Sequence, residues 1–123
     1  RRRFRNTTVR YTPKFVWCGG VQVHPRMVPY LERLREIAIA EGIDFLLIDG
    51  YRSELQQGKL RARFDLGDPT VLTRPVHNSL HQRGLAVDIE STDLARLGEI
   101  AEQLGMRWGG RYDDPVHFDL GRR

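Results

Sequence analysis

Three residues in this sequence are of types that could together hold one reactive metal ion: His81, Asp88 and His117. A catalytic zinc needs three fixed nitrogen or oxygen ligands and an open position for water, whereas a structural zinc takes four protein ligands and closes the site. Cys18 is the single cysteine, which excludes an intrachain disulfide and every multi-cysteine zinc site, so ligands must come from histidine and carboxylate side chains. Two histidines and one aspartate meet the catalytic requirement. Spacing alone does not single out this trio in a chain with four His and sixteen Asp and Glu. His77 is set aside because a fourth ligand would close the site, and His24 before Pro25 reads as a residue leading into a helix. Cys18 reads as a small buried residue, since no helix start or neighbouring histidine marks it as an activated thiol.

The elements that must position these side chains follow from periodicity. Met27, Leu31, Leu34, Ile37, Ala38 and Glu41 fall at three- and four-residue steps, predicting an amphipathic helix ended by a left-handed Gly42. Phe45-Leu46-Leu47-Ile48 reads as a short buried strand running to Asp49-Gly50. Ser53 with Gln56 three residues later is a capping box, opening a helix that lasts to Arg63 or Phe64. Residues 65 to 80 predict a long irregular loop that delivers His81. Leu85, Val87 and Ile89 alternate with Ala86, Asp88 and Glu90, a strand with Asp88 on the face opposite the aliphatic side chains. A third helix, capped by Ser91 or Thr92, buries Leu94, Leu97, Ile100, Ala101 and Leu104 and ends at Gly105. Met106-Arg107-Trp108 then leads into a Gly109-Gly110 turn, and Val116 to Leu120 predicts a final strand carrying His117. This order points to an α+β domain over residues 21 to 123, with residues 1 to 20 a partly ordered N-terminal arm.

The 123 residues suffice for one domain that buries a core without disulfides. No apolar run approaches the roughly 20 residues of a membrane span, and Arg1-Arg2-Arg3-Phe4-Arg5 lacks the apolar stretch of a signal peptide. Without Arg1, Arg2, Arg3, Arg5, Arg122 and Arg123 the formal charge of +4 becomes −2. The body of the domain is therefore slightly acidic, a poor groove for phosphates, and nucleic acid is not expected as a partner. The basic ends read as solvated tails that would favour a polyanion such as an acidic wall polymer.

The ligand candidates sit within a longer pattern, Ser79-x-His81-x-x-Gly84-x-Ala86-x-Asp88 followed by Asp114-x-x-His117. With Gly50-Tyr51-Arg52-Ser53-x-x-Gln56 before it and Trp108-Gly109-Gly110 after, it resembles a family of zinc peptidases. That family includes D-alanyl-D-alanine carboxypeptidases, vancomycin-resistance dipeptidases and phage or bacterial L-alanyl-D-glutamate endopeptidases. The resemblance covers roughly residues 24 to 120. It implies the Hedgehog/DD-peptidase fold, a small antiparallel sheet with helices packed on it and the zinc site at the sheet.

Carried over position by position, the resemblance implies that His81, Asp88 and His117 bind one zinc ion and that Asp114 is the general acid/base, with Asp113 the alternative. It gives Arg52 the role of stabilising the oxyanion or anchoring a substrate carboxylate, and makes Ser79 and Gln56 candidates for substrate contact. Trp108 lines a cleft or packs in the core, while Tyr112 and Asp119 receive no role. The carboxypeptidase and dipeptidase branches place Glu three residues before the last histidine, whereas the endopeptidases often place Asp, as here at Asp114. The expected activity is thus hydrolysis of the peptidoglycan stem peptide between L-alanine and D-glutamate, by a monomer acting at the bacterial cell wall as phage endolysins do. The chain departs from those endopeptidases over residues 65 to 76, which lack their Gly-Arg-Thr-x-Pro-Gly type loop. Removal of a terminal D-alanine, a non-catalytic wall-binding module and a metal-dependent nuclease are the competing readings.

Overall fold

The computed structural model describes residues 14–71, 74–75 and 79–121. His77, most of the expected N-terminal arm and the terminal arginines lie outside the described residues.

The chain opens with a hairpin, β1 (Val16–Cys18) and β2 (Val21–Val23), turned by Gly19 and Gly20 at φ 55° and 87°. Two successive positive φ values are what a tight hairpin turn demands and glycine supplies. A single 3₁₀ turn, Pro25–Met27, then leads into α1 (Val28–Ala40), with the His24 ring accepting from Arg26 N at 3.0 Å. Met27, Leu31, Leu34 and Ala38 are buried. Gly42 at φ 73° ends α1 as expected, with Ile43 N donating to Ala38 O at 2.8 Å. Glu41, placed by its spacing on the apolar stripe, lies at the surface and accepts both Nε and Nη2 of Arg96 at 2.8 Å.

Strand β3 (Phe45–Asp49) corrects the expectation of a buried strand. It is an edge of the main sheet, and Leu46 and Ile48 on its outer side are 66% and 51% exposed. A continuous apolar run does not reveal whether one face or two are covered. The helix α2 (Glu54–Asp65) carries the expected capping box: Gln56 N donates to Ser53 Oγ and Ser53 N to Gln56 Oε1. After it, Arg63 binds Asp68 and Arg74 binds Asp65, tying down the described start of the long loop.

The main sheet is antiparallel, in the order β3-β4-β6-β5, with β4 (Ala86–Ser91), β5 (Arg107–Trp108) and β6 (His117–Asp119). Helix α3 (Leu94–Gln103) is capped by Asp93, whose side chain accepts from Arg96 N at 3.0 Å, and not by Ser91 or Thr92. Ser91 instead donates to Asp44 O and accepts from Asp93 N, and Thr92 Oγ1 accepts from Asp44 N. Both hydroxyls are used between strands, leaving the cap to the next residue. Val87, Ile89 and Phe118 from the inner sheet face pack with Leu34, Leu97 and Ile100 of α1 and α3. Burial of each such side chain contributes about 1.5–3 kcal/mol. The fold is α+β, and no described helix is long and apolar enough to cross a membrane.

Candidate metal centre

Asp88 on β4 and His117 on β6 are register partners in an antiparallel pair, so their side chains leave the same face of the sheet. His81 reaches that point from a 3₁₀ turn, Leu80–Arg83. Ser79 caps this turn: its Oγ accepts from His81 N at 3.1 Å, while Ser79 N donates to Gln82 Oε1 at 3.1 Å. Gly84 ends it at φ 70°, where a Cβ would lie 2.6 Å from His24 N and 2.8 Å from the Phe15 ring. The pattern from Ser79 to Gly84 is therefore one capped turn that places His81 just before β4.

The three side chains converge. Asp88 Oδ1 lies 3.3 Å from His81 Nε2 and 3.7 Å from His117 Nδ1. One ligand atom from each residue lies within 4.8 Å of the other two. The atoms facing away are held as well. His81 Nδ1 is 2.8 Å from the Gly50 carbonyl, Asp88 Oδ2 accepts from Arg52 Nη2 at 3.0 Å, and His117 Nε2 is 2.7 Å from Asp119 Oδ2. Inner atoms free to converge and outer atoms fixed by hydrogen bonds are what a metal ligand set needs. Two imidazoles and a carboxylate suit zinc, with a position left for water.

The electrostatics agree. Burial opposes the charge of Asp88, but the His117 and His81 imidazoles and the Arg52 guanidinium outweigh it and hold the carboxyl well below the usual carboxylate range. Burial lowers His117, but Asp119 and Asp88 prevail and push it up to about 9. The two shifts are opposite sides of the same contacts between carboxylates and imidazoles.

The turn after β5 brings Asp114 to the same place. Trp108 Nε1 donates to Pro115 O at 2.8 Å, Asp114 N to Gly109 O at 2.9 Å, and His117 N to Asp114 O at 3.0 Å. A Cβ on Gly109 would lie 2.2 Å from Asp114 O, and Cβ atoms on Gly98 and Gly110 would lie 2.1 and 2.2 Å from the Trp108 ring. The indole thus fills a slot between α3 and the turn, which accounts for Trp108-Gly109-Gly110. Asp113 adopts φ 64° at the exposed tip, while Asp114 is half-buried. Burial pushes the Asp114 carboxyl up; His117, His81 and Arg52 act against this and the Asp88 charge adds to it. Its charge is therefore sensed by every member of the cluster.

No family model matches the chain. The peptidoglycan L-alanyl-D-glutamate endopeptidase CwlK of Bacillus subtilis is 27% identical, over 80% of this chain and 73% of CwlK. In sequence the chain is thus similar to an L-alanyl-D-glutamate endopeptidase. The chain's fold is that of solved peptidase structures. The vancomycin-resistance D,D-pentapeptidase VanY in complex with Zn(II) superposes with a TM-score of 0.69 at 21% identity, over 90% of this chain and 80% of VanY. The L-Ala D-Glu endopeptidase ChiX of Serratia marcescens gives 0.58 at 21% identity, over 80% of each chain.

Of the residues singled out from the sequence, the structure gathers His81, Asp88, His117, Asp114 and Arg52 into one cluster on the sheet. Arg52 is nearly buried, and donates to Asp49 Oδ2 at 2.7 Å and Gln57 Oε1 at 3.2 Å as well as to Asp88. Its backbone N–H donates to His81 O at 3.0 Å. Gln56 is exposed and occupied by its cap, whereas the buried Gln57 is the glutamine that turns to Arg52. The adjacent amides look alike in sequence, although the capping box at Ser53 already assigns Gln56 outward. Ser79 is buried and serves His81 through its cap. Asp119, fully buried against His117, had no assignment; its signal was the His117-x-Asp119 spacing, which puts both on one strand face. A depression of about 500 Å³ between α1 and the β3–β4 edge, lined by Arg35, Ile39, Leu46 and Glu90 among others, contains none of these residues.

Proposed function

We propose that the chain is a zinc-dependent peptidoglycan hydrolase that cleaves the stem peptide between L-alanine and D-glutamate. The convergence of His81 Nε2, Asp88 Oδ1 and His117 Nδ1, with Asp114 beside them, carries the hydrolytic reading. Similarity to CwlK and the aspartate at position 114 support the choice of bond. One zinc ion held by the three residues would supply a Lewis acid and lower the pKa of a bound water to about 7. Asp114 takes a proton from the attacking water as its oxygen bonds to the scissile carbonyl carbon. It returns that proton to the departing amine as the C–N bond breaks. Burial, which pushes the Asp114 carboxyl up, makes it a better proton acceptor than a free aspartate.

Arg52 supports this chemistry from two directions. Among the described residues, three of its five N–H donors are engaged, by Asp49, Gln57 and Asp88, so two remain for the developing oxyanion or a substrate carboxylate. Ser79 and Gln56, candidates for substrate contact, are better supported as caps, Ser79 for the turn that presents His81 and Gln56 for α2. The protein acts as a monomer on stem peptides of the bacterial wall, and its basic ends favour that anionic polymer.

The competing bond is the terminal D-alanyl-D-alanine link. VanY, a D,D-pentapeptidase, shares the fold. Mass spectrometry of purified peptidoglycan fragments digested by the zinc-loaded protein decides between them. New amino-terminal D-glutamate supports the endopeptidase, and loss of terminal D-alanine supports the carboxypeptidase. Unchanged fragments with zinc bound would leave a wall-binding module in place of an enzyme.

A further inference from the structure

We infer that Asp119 is a positioning residue for the metal centre: it selects Nδ1 of His117 as the ligand atom, and Arg107 with the Gly121 backbone holds it in place. The inference rests on the metal-centre reading above and adds to it a residue and a device.

Asp119 is fully buried, and a buried carboxylate is costly unless each oxygen is satisfied. Here both are. Oδ2 accepts from His117 Nε2 at 2.7 Å and from Arg107 Nη2 at 3.3 Å, while Oδ1 accepts from Arg107 Nε at 2.9 Å and Gly121 N at 2.6 Å. Four donors fill the acceptor capacity of one carboxylate. Arg107 on β5 and Asp119 on β6 are register partners, and His117 lies two residues back on the same strand face. A clamp whose only task was to join β5 to β6 would need Arg107 and Gly121 but not the imidazole.

The imidazole bond has a chemical consequence. With its Nε2–H donated to Asp119, neutral His117 carries its lone pair on Nδ1, the nitrogen that faces Asp88 Oδ1 at 3.7 Å. His81 is fixed the opposite way: its Nδ1–H donates to the Gly50 carbonyl, leaving the Nε2 lone pair toward Asp88. The two histidines thus offer different nitrogens to one point, each chosen by its outer partner. The partner of His117 is charged, which makes that imidazole the more basic donor.

The test is zinc affinity, measured by chelator competition below the melting transition, together with the visible spectrum of the cobalt-substituted protein. Asp119→Ala is expected to weaken zinc about 10–100-fold and to alter the cobalt spectrum, because His117 is freed to rotate. An amide offers one acceptor where the carboxylate offers two, so Asp119→Asn keeps either His117 or the Arg107 side and falls between. Arg107→Ala, altering a side chain that is 56% exposed, leaves the fold intact and weakens zinc several-fold through a loosened Asp119. Should Asp119→Ala not fold, the other two variants carry the test. Zinc affinity and cobalt spectra indistinguishable from wild type in folded Asp119→Asn and Arg107→Ala would overturn the inference while leaving the metal centre standing. Failure of the wild type to bind either metal would overturn both.

Discussion

The Trp108 indole donates a 2.8 Å hydrogen bond to the carbonyl of Pro115, spanning the turn that carries Asp114. Replacing it with phenylalanine keeps an aromatic ring between Gly98 and Gly110 and removes only the donor. Trp108→Phe is expected to cost about 1 kcal/mol of stability and to lower kcat on wall peptides roughly tenfold, with KM little changed, because Asp114 loses its anchor. Steady-state kinetics beside a denaturant titration checks this.

Arg52 joins Asp49, Gln57 and Asp88, and no other side chain type has a planar fork that could replace it. Arg52→Ala leaves the carboxylate of Asp88 without its outer donor and should cost about 2 kcal/mol in the metal-free protein, read by urea unfolding. Arg52→Lys retains the charge but recovers less than half of that loss.

Gly84 sits at φ 70° against His24 N and the Phe15 ring. Gly84→Ala adds left-handed strain of about 1–3 kcal/mol and a clash that His81, three residues earlier, must absorb. A lower melting temperature together with weaker zinc binding is expected; a lower melting temperature with unchanged zinc binding would show that the turn is not what sets His81.

Asp114 works as a base only when ionised, and burial raises its pKa. The acid limb of kcat/KM should therefore lie above about 3.9, the value of a free aspartate, with activity lost as pH falls through it. The sign is opposite for stability. The folded state holds the Asp114 proton more tightly than the unfolded state, so between the two pKa values this residue makes the fold less stable as pH rises. Asp114→Asn should remove both dependences, as pH-rate profiles and pH-dependent unfolding would show.

Much of this architecture was legible because its signals are local. The capping box at Ser53 and Gln56, the Gly42 cap, the alternation about Asp88 and the 3.6-residue stripe of α3 each need only a few neighbours in sequence. The hairpin at Val16–Val23 was missed because three-residue strands are too short to show a period, although Gly19-Gly20 is itself a turn signal. Exposure of Leu46 and Ile48 depends on which face of the sheet the helices cover, and that is decided by packing, not by local pattern. The convergence of His81, Asp88 and His117 came from the motif around them, since their spacing alone was ambiguous. Asp119 and Gln57 escaped because their partners, Arg107 and Arg52, are joined to them only after the strands and the turn have assembled.

The three-residue centre is tested most directly by metal content after dialysis against limiting zinc. One zinc per chain is expected for the wild type, falling to near zero in His81→Ala and His117→Ala, each verified as folded by circular dichroism. A wild-type stoichiometry near zero, or full zinc retention in both variants, would contradict it.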